Sequence, residues 1–137
     1  MTSHSETQFL PYTTEQLFDL VADIESYPQF LPWCRAARII ERKPDEMLAE
    51  LILSFAHMTE RYTSRVALQR PLSKDAAGAI DVMLVKGPFK YLTNRWRFTP
   101  EAGGARIDFF IDFQFQSKLL EALIGGAPQK PLVVSRS

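Results

Sequence analysis

Much that would mark a chemistry is missing from this chain. Cys34 is its single cysteine. An internal disulfide is therefore excluded, and a reducing compartment is the natural setting. No glycine-rich loop follows a strand in the phosphate-binding pattern, and no His/Cys cluster has metal-ligand spacing. The two histidines, His4 and His57, stand far apart. No apolar run approaches the length of a bilayer span. Residues Met1 to Phe9 carry neither a basic leader nor an apolar stretch, so no signal peptide is expected. Charge of one sign is also lacking. Sixteen Lys and Arg balance sixteen Asp and Glu. That balance gives no general attraction to DNA or to acidic membranes.

What is present is an ordinary globular composition, 46% apolar and 23% charged over 137 residues. That length suits one domain. The expected division is a single folded unit over residues 1–126 and an irregular tail over 127–137. A cytoplasmic location follows, with at most a peripheral, transient contact with the inner membrane surface.

The chain is organised around Asp23 to Cys34, which holds Tyr27, Pro28, Phe30, Leu31, Pro32 and Trp33. Pro28 and Pro32 push the residues before them out of the helical region. A bend with so much apolar area must fold back onto something, and the sheet that follows is the available surface. Before it, Ser3 to Leu10 reads as a strand. Thr14 to Asp23 reads as a short helix, with Leu17, Phe18, Leu20, Val21 and Ile24 on one stripe. Thr13 or Thr14 caps it, and Thr13 with Gln16 has capping-box spacing. Ser26 to Phe30 can add one further turn.

After Cys34 the period falls to two. Strands are expected over Arg35 to Arg42, Met47 to Phe55, Met58 to Leu68, Ile80 to Leu84, Tyr91 to Thr99 and Ala105 to Phe115. Pro44-Asp45, Gly87-Pro88 and Pro100 to Gly104 are read as turns or interruptions. Glu60 breaks an otherwise apolar face, which points to a strand end or a bulge. Short connections make the sheet antiparallel with one wet face. Ser117 can cap a closing helix to Ile124, stopped by Gly125-Gly126. About eight helical residues span only about 12 Å, against about 36 Å for the last strand. Such a helix cannot cover the apolar face alone, so a ligand, the tail or a partner is expected to fill the remainder.

Candidate chemistry is sparse. Cys34 with His57 has the elements of a nucleophile and base, but a buried thiol and a solvated histidine explain both residues. Asp108 and Asp112 share a face, yet alternate with Arg106 and Gln114 as a solvated face does. Arg61, Arg65, Arg95 and Arg97 form either a modest basic patch for RNA or lipid head groups, or ordinary cross-strand pairs with acidic neighbours.

The order of elements resembles the helix-grip fold of the START-like polyketide cyclase superfamily. The run Tyr27-Pro28-Gln29-Phe30-Leu31-Pro32-Trp33-Cys34, after Val21-Ala22-Asp23, resembles the signature of the coenzyme Q-binding START-domain family. Tyr62, Ser64, Val66, Gly87-Pro88-Phe89, Leu92, Trp96 and Phe98 are similar in later positions. The bacterial ribosome-association toxin family is similar in the same places. The resemblance implies an α+β, START-like/Bet v 1-like fold. A curved antiparallel sheet wraps a C-terminal helix, with two short helices near the N-terminus. It implies a non-enzymatic protein without cofactor that carries ubiquinone in support of respiration. The alternative it implies is association with the large ribosomal subunit, and distant relatives of the fold are cyclases. Residues expected to line the ligand are Tyr27, Phe30, Leu31, Trp33, Leu53, Phe55, Tyr62, Ser64, Val66, Phe89, Trp96, Phe109, Ile111 and Phe113. Tyr62, Ser64 and the Trp96 indole N–H are the expected donors to the quinone carbonyls.

Overall fold

Among the described residues, alternating apolar positions make seven strands, and these pair into one curved antiparallel sheet. The structure is a computed structural model and describes residues 2–55 and 57–118. The strands are β1 (Thr2–Leu10), β2 (Cys34–Lys43), β3 (Glu46–Phe55), β4 (Met58–Gln69), β5 (Gly78–Lys86), β6 (Phe89–Glu101) and β7 (Gly104–Phe115). Their spatial order is β1-β7-β6-β5-β4-β3-β2, so β1 and β2 form the two edges. The expected closing helix beyond Lys118, its Gly125-Gly126 stop and the tail 127–137 fall outside the described residues.

Helix α1 (Thr14–Ala22) begins with the capping box read from the sequence. The Thr13 hydroxyl accepts from Gln16 N, and Thr13 N donates to Gln16 Oε1 at 2.9 Å. Two orphan N–H groups are satisfied in this way, which contributes about 1 kcal/mol. Thr14 does different work. It is fully buried, and its hydroxyl reaches Ala76 O at 2.7 Å and Lys74 O at 3.2 Å. Those bonds fasten the start of α1 to the β4–β5 connection.

The inner face of α1 packs on the sheet. Phe18 is fully buried and meets Phe98 edge to face, ring centroids 5.9 Å apart. Arg70 lays its guanidinium 4.7 Å from the Phe18 ring centre and pairs with Asp19 at 2.6 Å, so a charged side chain roofs the apolar contact.

A 3-10 helix, Ile24–Gln29, follows α1 almost at once, with Pro28 inside it. It starts two residues earlier than the single turn expected at Ser26. The bend folds back in two ways. Tyr27 donates its hydroxyl to Val21 O, in the last turn of α1. Glu25 accepts from Ile39 N at 3.2 Å and stands 3.9 Å from Arg42, so it covers part of the exposed edge of β2.

Strand boundaries differ modestly from the expected ones. The hairpin β6–β7 is tighter, because Pro100 and Glu101 still pair, opposite Ala105 and Gly104. Pro100 survives there near the strand end, and Gly103 takes the turn at φ +83°. The break at Glu60 is not a bulge. Glu60 pairs in register with Leu53, and the β3–β4 ladder runs without a shift.

Candidate functional site

The apolar alternation of β3 to β7 decides where a site can lie. Met47, Ala49, Leu51 and Leu53 face inward from β3, and Tyr62, Ser64 and Val66 from β4. From β6 come Leu92, Trp96 and Phe98; from β7, Ala105, Ile107, Phe109 and Phe115. Ile111 and Phe113 lie on the same face of β7 and are half-buried. Two aromatic groups result. Phe89 is the hub of one, with Tyr62 at 5.4 Å, Phe113 at 5.7 Å and Phe115 at 5.1 Å between ring centroids. In the other, Trp96 meets Phe109 at 4.7 Å and Phe98 at 6.5 Å.

Polar groups on this face were expected from Tyr62, Ser64 and Trp96. Their states differ. The Trp96 indole N–H is already spent: it donates to Asn94 Oδ1 at 3.0 Å, and Asn94 in turn donates to Phe110 O at 2.9 Å. As a donor to a ligand it is therefore corrected; as apolar surface it remains. Tyr62 is only 7% exposed, and its hydroxyl has no hydrogen-bond partner among the described residues. Burial pushes its pKa far up, and Ser64, two residues along the same face, offsets a part of the rise without forming a good hydrogen bond. Among the described residues the phenol is thus a neutral donor without an acceptor. Gly87 makes room beside it, since a Cβ there would stand 3.2 Å from the Tyr62 ring.

The bend contributes Leu31, which is buried, and Tyr27 and Trp33, which are half-buried against the core. The Tyr27 hydroxyl is turned inward. Its pKa is pushed up by burial first, then by nearby Cys34 and Asp23. Phe30 departs from expectation. Its side chain is 41% exposed and packs edge-on against Tyr27, 5.9 Å between centroids, outside the buried core. It follows the 3-10 helix as its C-terminal cap, and its N–H donates to Tyr27 O at 3.1 Å. Phe55 ends β3 opposite Met58, and its side chain is outside the described set.

The remaining candidates have structural explanations. Cys34 is 2% exposed and its thiol contacts Ala36 O at 3.5 Å. Burial raises its pKa, with a backbone hydrogen bond at Ala36 opposing. His57 is exposed, in the β3–β4 turn at φ +64°, while Cys34 pairs across with Leu53. Asp108 bonds to Thr7 at 2.6 Å and Arg106 at 3.1 Å; Asp112 accepts from Tyr91 at 3.5 Å. The two carboxylates serve different partners. Among the arginines, Arg61 meets Glu50 at 3.6 Å, Arg97 meets Asp81 at 2.9 Å, and Arg65 pairs with Glu46. Arg95 lies over Phe110, 5.2 Å from the ring centre. Cross-strand pairing, rather than an unpaired basic patch, accounts for most of this face. Among the described residues no group of His, Cys, Asp and Glu is arranged to hold a metal.

Three inward polar residues escaped the sequence reading. On β1 the partly buried positions are His4, Glu6 and Gln8, while Ser3, Ser5, Thr7 and Phe9 face out. Pairing with β7 forces this, because His4, Glu6 and Gln8 stand opposite Ile111, Phe109 and Ile107, which face inward. The available signal was the strict alternation of β1. It was masked because Phe9, the largest apolar side chain of the strand, lies on the outer face and is 50% exposed.

Comparison with known proteins fits this geometry. Residues 10–132 match the family described as polyketide cyclase / dehydrase and lipid transport. The chain belongs to that START-like family. It is 44% identical to the ribosome association toxin RatA of Rickettsia prowazekii, over 91% of this chain and 84% of that one. It is 34% identical to the mitochondrial coenzyme Q-binding protein COQ10 homolog B of Xenopus laevis, over 85% of this chain but 47% of that longer protein. The solution structure of the 18 kDa protein CC1736 from Caulobacter crescentus superposes with a TM-score of 0.69 at 39% identity, covering 91% of this chain and 84% of that one.

Proposed function

We propose that this protein binds a prenylated quinone of the ubiquinone class on the inner face of its sheet. It acts there as a non-enzymatic carrier or chaperone in support of respiration, from the cytoplasm, with transient contact at a membrane surface. The observation that carries this reading is the buried Tyr62 hydroxyl, without a hydrogen-bond partner among the described residues, beside Phe89, Phe113 and Phe115. A buried donor without an acceptor costs about 1–3 kcal/mol, and a quinone carbonyl is an acceptor of the right kind. The aromatic surroundings suit the ring and the isoprenoid chain, at about 0.8 kcal/mol per buried methylene. The COQ10 relative's name supports the same class of ligand. A binding role, rather than the cyclase chemistry in the family's description, agrees with the separate partners of Asp108 and Asp112 and with the buried Cys34 thiol. The test is a titration with short-chain ubiquinone, read by tryptophan fluorescence and melting temperature. Saturable shifts at one equivalent support the reading, and flat curves end it.

Association with the large ribosomal subunit is the second reading, favoured by the name of the 44% identical relative. Its surface would be the outer face around Arg61, Arg65, Arg95 and Arg97. Overexpression followed by sucrose-gradient profiling tests it. A rise of free subunits over monosomes supports it, and an unchanged ratio counts against it.

A further inference from the structure

The charge balance of the chain does not survive folding. The entry to β2, the β3–β4 turn, the β5–β6 turn and the end of β7 meet at one end of the sheet, because the strands alternate in direction in the order β1-β7-β6-β5-β4-β3-β2. Among the described residues, the charged groups gathered there are Arg35, Arg61, Lys86, Lys90 and Lys118, all exposed, against one half-buried carboxylate, Glu60. The next carboxylate inward, Glu50, is shared by Arg38 at 2.7 Å and Arg61 at 3.6 Å, with Lys86 also acting on it, so cations still exceed it. Asp112 lies further in, level with Thr93, Met83 and Arg65. Arg35, Lys90 and Lys118 have no ion-pair partner among the described residues. The opposite end mixes both signs: Asp45, Glu46, Asp75 and Glu101 stand among Arg42, Lys43, Lys74 and Arg106.

We infer that this cationic end is the surface by which the protein docks on a bilayer that carries anionic phospholipid head groups. The assignment rests on the quinone-carrier reading above and gives its membrane contact a place and a lipid class. Continuity with the candidate ligand site favours a bilayer as the partner. Phe89 opens β6 and Phe115 closes β7, so the aromatic group that includes Tyr62 and Phe113 lies just inside this end. Trp33, whose carbonyl accepts from Ser54 N at 2.8 Å, and Met58 bring half-buried apolar surface to it. Val85, 49% exposed, stands next to Lys86. Cations around apolar side chains match a membrane surface, with phosphates outside and hydrocarbon within, and an amphipathic indole suits the boundary. Docked this way, the site faces the layer in which a prenylated ligand dissolves. Each Lys or Arg near an anionic surface strengthens binding about 5-fold, and the attraction fades within about 8 Å at physiological salt, so the contact is reversible. RNA phosphates offer the same charge without the hydrocarbon, and the experiment separates the two.

Flotation of the full chain is measured with vesicles of phosphatidylcholine alone and of phosphatidylcholine mixed with phosphatidylglycerol, at low and at physiological salt. The wild type is expected to bind the mixed vesicles at least about 10-fold better at low salt, with the gap narrowing as salt rises. Lys86→Gln combined with Lys90→Gln should lose about 25-fold on the mixed vesicles. The control pair, Lys43→Gln with Lys74→Gln, removes the same charge from the opposite end and should lose less than about 3-fold. Both pairs should take up soluble short-chain ubiquinone as the wild type does, which keeps the two readings apart. Equal binding of the wild type to both vesicles, or an equal loss in the two pairs, overturns the docking surface and leaves the quinone reading intact. A vesicle preference that is lost with Lys86 and Lys90, in a protein that binds no quinone, supports the surface and ends the carrier reading. Weaker binding of single-stranded RNA by the Lys86 and Lys90 pair, with no vesicle preference in the wild type, assigns this end to nucleic acid and overturns the inference. Melting temperatures check folding. Should the double variant not fold, Lys90→Gln alone decides, with an expected loss of about 5-fold.

Discussion

Tyr62 and Phe89 pack edge to face, 5.4 Å between ring centroids, and the Tyr62 hydroxyl ends in a buried space with no acceptor among the described residues. A native fold rarely leaves such a group unsatisfied unless something else uses it. Tyr62→Phe should therefore leave the ligand-free protein as stable as wild type, or more stable by about 1 kcal/mol. The same variant should bind short-chain ubiquinone about 5- to 10-fold more weakly, the value of one lost hydrogen bond. Thermal unfolding with and without ligand checks both. A clear loss of stability without ligand would mean that the hydroxyl has a structural partner.

The tie between α1 and the β4–β5 connection runs through one hydroxyl, on Thr14. Thr14→Val keeps the shape and removes the donor. It should cost about 1–3 kcal/mol in urea denaturation, because carbonyls of Lys74 and Ala76 lose their partner. Thr13→Ala, at the cap, should cost about 1 kcal/mol by a separate route. An unchanged midpoint for Thr14→Val would show that the connection is held by something else.

Acid should weaken the β1–β7 edge. The Thr7 hydroxyl, with help from Arg106, holds the Asp108 carboxyl below its ordinary value. A group with a lowered folded-state pKa contributes stability that is complete above the unfolded value, about 3.9, and is lost as pH falls through the folded value. Glu50, held down first by Arg38, acts in the same direction. Asp108→Asn should therefore flatten the decline of melting temperature between about pH 5 and pH 2. An identical slope in wild type and variant would remove Asp108 from the account.

Cys34 should be a slow thiol. Burial raises its pKa and leaves 2% of it exposed. The reactive species is the thiolate, so a thiol reagent should label the native chain only as fast as the chain opens, and should label it at once in denaturant. Immediate labelling of the native protein would reopen a nucleophilic role for this residue.

Much of this architecture was legible before any coordinates. The capping box at Thr13 and Gln16 and the period-two faces of β3, β4 and β7 follow from local rules, and the folded chain keeps them. What local rules could not reach was set by pairing across the sheet. The inward turn of His4, Glu6 and Gln8 depends on register with β7, about one hundred residues away, and β1's own hydrophobicity points the other way at Phe9. Phe30 and the Trp96 indole depart from expectation for local reasons that hydrophobicity does not carry. One caps the 3-10 helix and stays 41% exposed, and the other is satisfied by Asn94 on its own strand. Aromatic character shows which residues avoid water; it does not show which are left over for a guest.

The most direct measurement is native mass spectrometry of the protein purified from its own host under mild conditions, followed by solvent extraction of any bound species. The account predicts a one-to-one adduct whose mass and redox absorbance are those of a prenylated quinone or quinol, reduced in amount in Tyr62→Phe. A population carrying no adduct, which also fails to take up added short-chain ubiquinone, would contradict it.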